Sequence, residues 1–160
     1  MAIDELLNQP PPMCILEDAD GKEFNLESHK GQTIVLYFYP KDNTSGCTKQ
    51  ACDLRDQLAE FKRRNCVVFG ISKDGATSHQ NFSSKFDLNF PLLSDPTGAF
   101  CEAFNVWKQK SMYGKIYFGI ERATFYIDDS FIIRHIWRKV KVPEHWSHVL
   151  KTIDSLEQKN

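Results

Sequence analysis

The stretch Thr33-Ile34-Val35-Leu36-Tyr37-Phe38-Tyr39-Pro40-Lys41-Asp42-Asn43-Thr44-Ser45-Gly46-Cys47-Thr48-Lys49-Gln50-Ala51-Cys52 decides the fold. Thr33 to Tyr39 is a near-continuous apolar, β-branched and aromatic run, which predicts a central strand buried on both faces. Pro40 to Gly46 reads as a turn. Beyond it Ala51, Leu54, Leu58 and Phe61 recur at +3, +4 and +3, one apolar stripe of a helix running to about Asn65. Cys47 lies four residues before Ala51 on that stripe, and Cys52 stands one step off it, towards the helix flank. A thiol where a helix opens after a strand faces unpaired backbone N–H groups and the positive end of the helix dipole, and ionises more easily than a free one. In a regular helix residues five apart lie on different faces with Cα atoms roughly 8.6 Å apart. A disulfide needs them closer than about 7 Å. A bond between Cys47 and Cys52 therefore requires the start of the helix to unwind.

Working outward, Cys66 to Ser72 predicts the next buried strand, Ala76 to Phe86 a helix, and Phe90 to Leu93 a short strand. Asp95-Pro96-Thr97-Gly98 opens a helical turn through Phe104. Ala123 to Ile127 and Phe131 to Trp137 bracket Asp128-Asp129-Ser130, a hairpin turn. Pro143 starts a last helix with Val149, Leu150, Ile153 and Leu156 as its buried face. A β-α-β-α unit followed by a hairpin and a closing helix is an α/β sandwich, expected to form one domain over residues 1–160. In open sheets of this kind the site lies off the carboxyl ends of the strands, where Cys47 falls.

The composition is that of an ordinary globular protein, 41% apolar and 26% charged. A formal net charge of −1 gives no bulk electrostatic reason to bind nucleic acid or an anionic membrane. The longest apolar run, Ile34 to Tyr39, is too short to span a bilayer, and Met1 to Gln9 does not read as a signal peptide. The five cysteines (14, 47, 52, 66 and 101) form no framework spacing, so a reducing cytoplasm is the expected home, where cysteine pairs are catalytic or metal-binding rather than structural. His145 and His148 stand three apart on the last helix with no carboxylate or thiol at ligand spacing, and read as surface residues rather than a metal site. Cys14, Cys66 and Cys101 read as packing residues.

Pro40-x-x-x-Thr44-x-x-Cys47, after the strand Tyr37-Phe38-Tyr39, resembles the active-site signature of the peroxiredoxins. The wider string Gly46-Cys47-Thr48-x-Gln50-Ala51-Cys52-x-Leu54-Arg55-Asp56 is similar to the bacterioferritin comigratory protein, or peroxiredoxin Q, branch. Further matches at Phe69 to Ser72, Phe90 to Asp95 and Gly119 to Arg122 extend the resemblance over nearly the whole chain. It implies a thioredoxin-like three-layer sandwich, a mixed central sheet flanked by helices. It also implies thiol-dependent reduction of hydrogen peroxide and organic hydroperoxides with no metal, haem, flavin or selenium cofactor.

Carried over residue by residue, the resemblance makes Cys47 the peroxidatic nucleophile. Thr44 and the Gly46 and Cys47 amides become the peroxide-binding turn, Pro40 the shield of the sulfur and Arg122 the active-site arginine. Cys52 matches the resolving cysteine of the five-apart subgroup, forming an intramolecular disulfide that thioredoxin or a similar dithiol reduces. Members that resolve from the following helix find no counterpart here, because Ala76 to Leu88 holds no cysteine; Ser83 sits in that region. Ser45 departs from the Pro common between the Thr and Gly, which loosens the turn without removing a catalytic atom. The polar Thr48-Lys49-Gln50 insert reads as cheap to unwind. A monomer is expected, since resolution needs no second subunit. Two rivals share the fold: a thiol redox sensor, and a general disulfide oxidoreductase, which normally uses the shorter C-x-x-C spacing. Trp107 and Lys110 to Gly114 resemble a segment near the active-site mouth, in a role the residues leave open.

Overall fold

The structure, a computed structural model, describes residues 4–158; Met1–Ile3, part of the N-terminal stretch read above, and Lys159–Asn160 lie outside it. In chain order the elements are β1 (Leu16–Glu17), β2 (Glu23–Phe24), a 3-10 turn (Leu26–His29), β3 (Thr33–Phe38), α1 (Ser45–Arg63), β4 (Cys66–Ser72), α2 (Ala76–Phe86) and β5 (Leu92–Ser94). They continue with α3 (Ala99–Ala103), β6 (Trp107–Met112), β7 (Lys115–Ile120), β8 (Ala123–Ile127), β9 (Ile133–Trp137) and α4 (His145–Gln158). A mixed seven-stranded sheet runs in the order β2-β1-β5-β4-β3-β8-β9. Its centre is parallel, β3 on β4 and β4 on β5, and β8 joins β3 antiparallel.

Strand β3 shows why the sheet is covered on both sides. Ile34, Leu36 and Phe38 point into one cluster with Phe69, Phe100, Phe104 and Phe125. Val35, Tyr37 and Tyr39 point into the other, with Ala51, Leu54 and Phe61 of α1 and Trp146, Val149 and Ile153 of α4. With period-2 alternation and every position apolar, a strand can only lie between two packed layers. The result is the expected three-layer sandwich. Gly70 lets the second layer close: a Cβ there would stand 2.9 Å from the Tyr37 ring and from Leu92 Cδ2.

The helices and central strands fall where the periodicity places them. Two expectations change. The last helix begins at His145 rather than Pro143, because Glu144 adopts φ 62 and breaks the helical run between them. Residues 107–120, of which 110–114 read as a loop, form a separate antiparallel hairpin, β6 on β7, with Met112 paired to Lys115. Its two-residue turn carries φ 52 at Tyr113 and φ 79 at Gly114, the doubly positive geometry that suits the twist of a tight hairpin. No helix among the described residues is long and apolar enough to cross a membrane.

Candidate active site

Helix α1 opens directly beyond the C-terminal end of β3, so its first turn sits over the sheet edge where an open α/β sheet leaves a crevice. Thr44 is the N-cap, with φ −93 and ψ 157. The first helical hydrogen bond runs from the Thr48 N–H to the Thr44 carbonyl at 2.8 Å, so the Ser45, Gly46 and Cys47 amides precede the ladder. The Thr44 hydroxyl does not cap the helix; it donates to the Lys41 carbonyl at 2.9 Å, which leaves its lone pairs free to accept. Pro40 is half-buried at the start of this loop.

Cys47 is buried on the inward stripe, 2% exposed, among Tyr37, Tyr39 and Ala51. Arg122, immediately before β8, reaches across to it: Nη2 donates to Cys47 Sγ at 3.4 Å while Nη1 donates to Gln50 Oε1. One planar guanidinium thus holds the sulfur and the helix side chain three residues on, a task a lysine cannot perform. Gly46 eases the approach, since a Cβ on it would lie 3.3 Å from Nη2 and push the guanidinium back by a few tenths of an ångström. Cys52 is half-buried on the flank of the same unbroken helix, and both thiols are free.

The remaining thiols are held protonated by their surroundings. Burial pushes Cys66 up to about 12. Burial, and then the Asp95 carboxylate, raise Cys101 further, and the same two causes raise Cys14. Cys66 and Cys101 are core residues, as the sequence suggests, and Cys14 is half-buried.

Several residues of the site carry no legible signal in the sequence. Gln50, read as part of an easily unwound polar insert, is fully buried. Its carbonyl accepts a hydrogen bond from Trp146 Nε1 at 2.9 Å, and its side chain accepts from Arg122. Unwinding the turn between the two cysteines therefore breaks buried bonds worth about 1 kcal/mol each, more where the partner is charged. His145, read as a surface residue, is 5% exposed, with Nε2 2.8 Å from Thr124 Oγ1. Its ring is swept inward with Trp146, which lies 4.8 Å away centroid to centroid. Burial, then His148 and Arg122, push its pKa down to about 4.

The other wall of the site is a buried polar network. Asp42 Oδ1 accepts the Tyr39 hydroxyl proton at 2.6 Å, and Oδ2 accepts from Ser78 Oγ at 2.8 Å and from His79 Nδ1 at 2.7 Å. His79 is fully buried and its Nε2 lies 3.1 Å from the Leu93 carbonyl, so both ring nitrogens face oxygen partners. Asp74 accepts from the Asp42 N–H at 2.7 Å and from Ser72 Oγ at 2.8 Å. The loop from Pro40 to Thr44 is thereby pinned to β4, α2 and the end of β5. Lys110, on the β6–β7 hairpin, donates to the Ile120 carbonyl at 2.6 Å; burial, and then the charge of Arg122, lower its pKa. The base of that hairpin therefore stands near the site, while Met112, Tyr113, Ile116, Tyr117 and Phe118 project into solvent.

Comparison with known proteins agrees with this geometry. Residues 7–136 match the AhpC/TSA family. The chain is 43% identical to peroxiredoxin Bcp of Bacillus subtilis over 153 residues, 96% of this chain and 98% of that one. It is 45% identical to peroxiredoxin Bcp of Escherichia coli K12 over 139 residues, 87% of this chain and 89% of that one. A cysteine-to-serine mutant of Xanthomonas campestris peroxiredoxin Q superposes with a TM-score of 0.87 at 41% identity, covering 96% of this chain and 99% of that chain. The sensor and general oxidoreductase readings are not favoured by these relatives. A strand–turn–helix that buries a thiol beneath an arginine, in a chain matched almost end to end by peroxiredoxins, belongs to the AhpC/TSA family, and within it the protein is a thiol-dependent peroxidase of the Bcp, or peroxiredoxin Q, branch.

Proposed function

We propose that Cys47 is the peroxidatic cysteine and Cys52 the resolving cysteine of an atypical 2-Cys, thioredoxin-dependent peroxidase acting on hydrogen peroxide and organic hydroperoxides. The observation that carries this reading is the 3.4 Å contact from Arg122 Nη2 to Cys47 Sγ in the first turn of α1. A permanent cation donates to the sulfur, and the Ser45, Gly46 and Cys47 amides precede the helical ladder in the same turn, an arrangement suited to negative charge on the oxygens of a bound peroxide.

In the first step the Cys47 thiolate attacks one peroxide oxygen. The S–O bond forms, the O–O bond breaks, and the departing alkoxide or hydroxide takes a proton to leave as alcohol or water, with Cys47 left as sulfenic acid. Thr44, donating its own proton to Lys41, accepts the hydroperoxide O–H and aligns it; Pro40 limits water at the sulfur. In the second step the Cys52 sulfur attacks Cys47. The S–S bond forms and the S–O bond breaks, and with the Cys52 proton the hydroxyl leaves as water. A dithiol of the thioredoxin type then reduces the disulfide by two exchanges and is itself oxidised. The monomer and a reducing cytoplasm complete the reading, supported by a resolver on the same helix and by three further thiols kept free.

Hydrogen peroxide consumption coupled to thioredoxin, thioredoxin reductase and NADPH tests it. Wild type turns over and Cys47→Ser does not. Cys52→Ser consumes about one equivalent and stops as a sulfenic acid, in keeping with the oxidation ladder. Full thioredoxin-driven turnover by Cys52→Ser removes the resolving role; activity in Cys47→Ser removes the mechanism.

A further inference from the structure

We propose that Trp146 is the latch that sets the lifetime of the Cys47 sulfenic acid, by fastening the turn that must unwind before Cys52 reaches it. The inference rests on the assignment of Cys52 as resolving cysteine. Between the two thiols lie Thr48, Lys49, Gln50 and Ala51. Thr48 and Lys49 are half-buried and exposed, and Lys49 pairs within the helix, with Asp53 at 2.9 Å. Ala51 is buried by packing alone. Gln50 is the residue of this segment fastened from another element through both its backbone and its side chain.

The two fastenings respond differently to oxidation. Arg122 spans Cys47 Sγ and Gln50 Oε1 with one guanidinium, so its hold is greatest while the sulfur is anionic. Once the sulfur is a neutral sulfenic acid, the charge that drew Arg122 to this end of the fork is gone. The indole–carbonyl bond from α4 is neutral on both sides and is unchanged by that event. The hold that this event leaves wholly unchanged is that of Trp146. Its ring is 1% exposed and packs edge-on against Tyr37, 5.1 Å between centroids at 83°, and against Phe61, 5.9 Å at 87°. Tyr37 belongs to β3 and Phe61 to the later turns of α1, so the indole is anchored outside the segment between the two thiols. Replacing the indole by a phenyl ring removes the N–H along with part of the packing, and the loss of one buried neutral hydrogen bond alone shifts a closed–open equilibrium by about fivefold towards open.

The consequence is a competition. A sulfenic acid held in the closed turn meets a second peroxide and gains another oxygen, giving sulfinic acid and a second molecule of water or alcohol. One released from it meets Cys52 and forms the disulfide. Trp146 therefore biases this chain towards persistence of the sulfenic acid and towards inactivation at high peroxide.

The test is Trp146→Phe, with Leu156→Ala, more than two turns further along α4, as a control that weakens packing without touching the indole bond. Rapid mixing with hydrogen peroxide, acid quench and mass spectrometry give the sulfenic acid, disulfide and sulfinic acid at each time. Trp146→Phe forms sulfenic acid at the wild-type rate, forms the disulfide about fivefold faster, and accumulates correspondingly less sulfinic acid. Disulfide formation at the wild-type rate in Trp146→Phe overturns the latch, as does equal acceleration by Leu156→Ala. Absence of any Cys47–Cys52 disulfide in wild type brings down the resolving assignment and the latch with it. A second measurement leaves position 146 intact: with Trp107→Phe and Trp137→Phe, the remaining indole reports its own surroundings. Emission that changes with the kinetics of the disulfide, not of the sulfenic acid, and is restored by a dithiol supports the latch. Emission constant through disulfide formation overturns it.

Discussion

The two walls of the Cys47 site are built to different standards. On one side the loop from Pro40 to Thr44 is tied down by Asp42, whose carboxylate accepts from Tyr39, Ser78 and His79 and whose N–H is held by Asp74. On the other, the first turns of α1 are fastened from outside through Gln50, by Trp146 and Arg122. The first wall is a closed network that ends on β4, β5 and α2; the second is a pair of bonds that converge on one residue. The proposed mechanism, which keeps the Thr44 turn while unwinding the helix behind it, calls for this asymmetry. Under the proposed resolution by Cys52, the difference teaches where motion is allowed: the loop carrying Thr44 is held, and Gln50 is the residue that must let go.

The largest break in that comparison comes from the fixed wall. Asp42→Ala leaves the Tyr39 hydroxyl, Ser78 Oγ and His79 Nδ1 without their acceptor in a site where His79 is fully buried. Removing one partner of a buried ionic or hydrogen-bonded pair costs about 3–5 kcal/mol. Urea unfolding of Asp42→Ala shows a loss of that order, accompanied by a slower reaction of Cys47 with peroxide, because the loop that carries Thr44 is no longer fixed. A stable Asp42→Ala protein with an unchanged peroxide rate would mean the two walls are equivalent.

The movable wall is exposed to pH through α4. His145 adjoins Trp146 and burial lowers its pKa to about 4, against 6.5 in the unfolded chain. A histidine depressed in the folded state contributes stability that is fully present above the unfolded value and is lost as pH falls through the window down to the folded one. Between pH 6.5 and 4 the loss amounts to about 3 kcal/mol, and roughly two thirds of it is reached by pH 5. Urea midpoints at pH 7.5 and 5 read this, and His145→Gln flattens the difference relative to wild type. If His145→Gln keeps the full pH dependence, the acid sensitivity of α4 lies elsewhere.

How much of this was legible follows from the range of the interactions. Strand β3 and helix α1 are each specified by residues within twenty positions of one another, so apolar runs and 3.6-residue stripes locate them, and with them Cys47. The Asp42–His79 pair spans 37 residues and the Trp146–Gln50 bond 96, with no periodicity to announce either partner. Gln50 misleads because a glutamine in a polar run reads as solvated; its burial is set by α4 and by Arg122, which arrive late in the chain. Hairpin β6–β7 escapes for another reason. Its flanks are mostly exposed, so they show no alternation, and its turn is Tyr113-Gly114 rather than the Asn-Gly or Asp-Gly that usually marks such geometry. His145 follows from the same late packing: spacing places it on the helix, but only the adjacent buried Trp146 turns that part of the helix inward.

The smallest effect is the most discriminating, because stability and activity move in opposite directions. Gly46 stands in the first turn of α1, where alanine is favoured over glycine by about 0.5–1 kcal/mol in helical backbone. Its φ is not in the left-handed region, so the backbone accepts a Cβ without strain. That Cβ would lie 3.3 Å from Arg122 Nη2, so the guanidinium must retreat by a few tenths of an ångström. The atom displaced is the one that donates to Cys47 Sγ, in a contact already at 3.4 Å. Gly46→Ala should therefore raise the unfolding midpoint slightly while slowing the reaction of Cys47 with hydrogen peroxide by severalfold, an effect of about 1 kcal/mol in the barrier. Stopped-flow oxidation under single-turnover conditions separates this from any change in resolution. A gain in stability with an unchanged peroxide rate would show that the sulfur draws its charge stabilisation from the helix terminus alone. In that case the fork of Arg122 serves the movable wall through Gln50 and not the nucleophile.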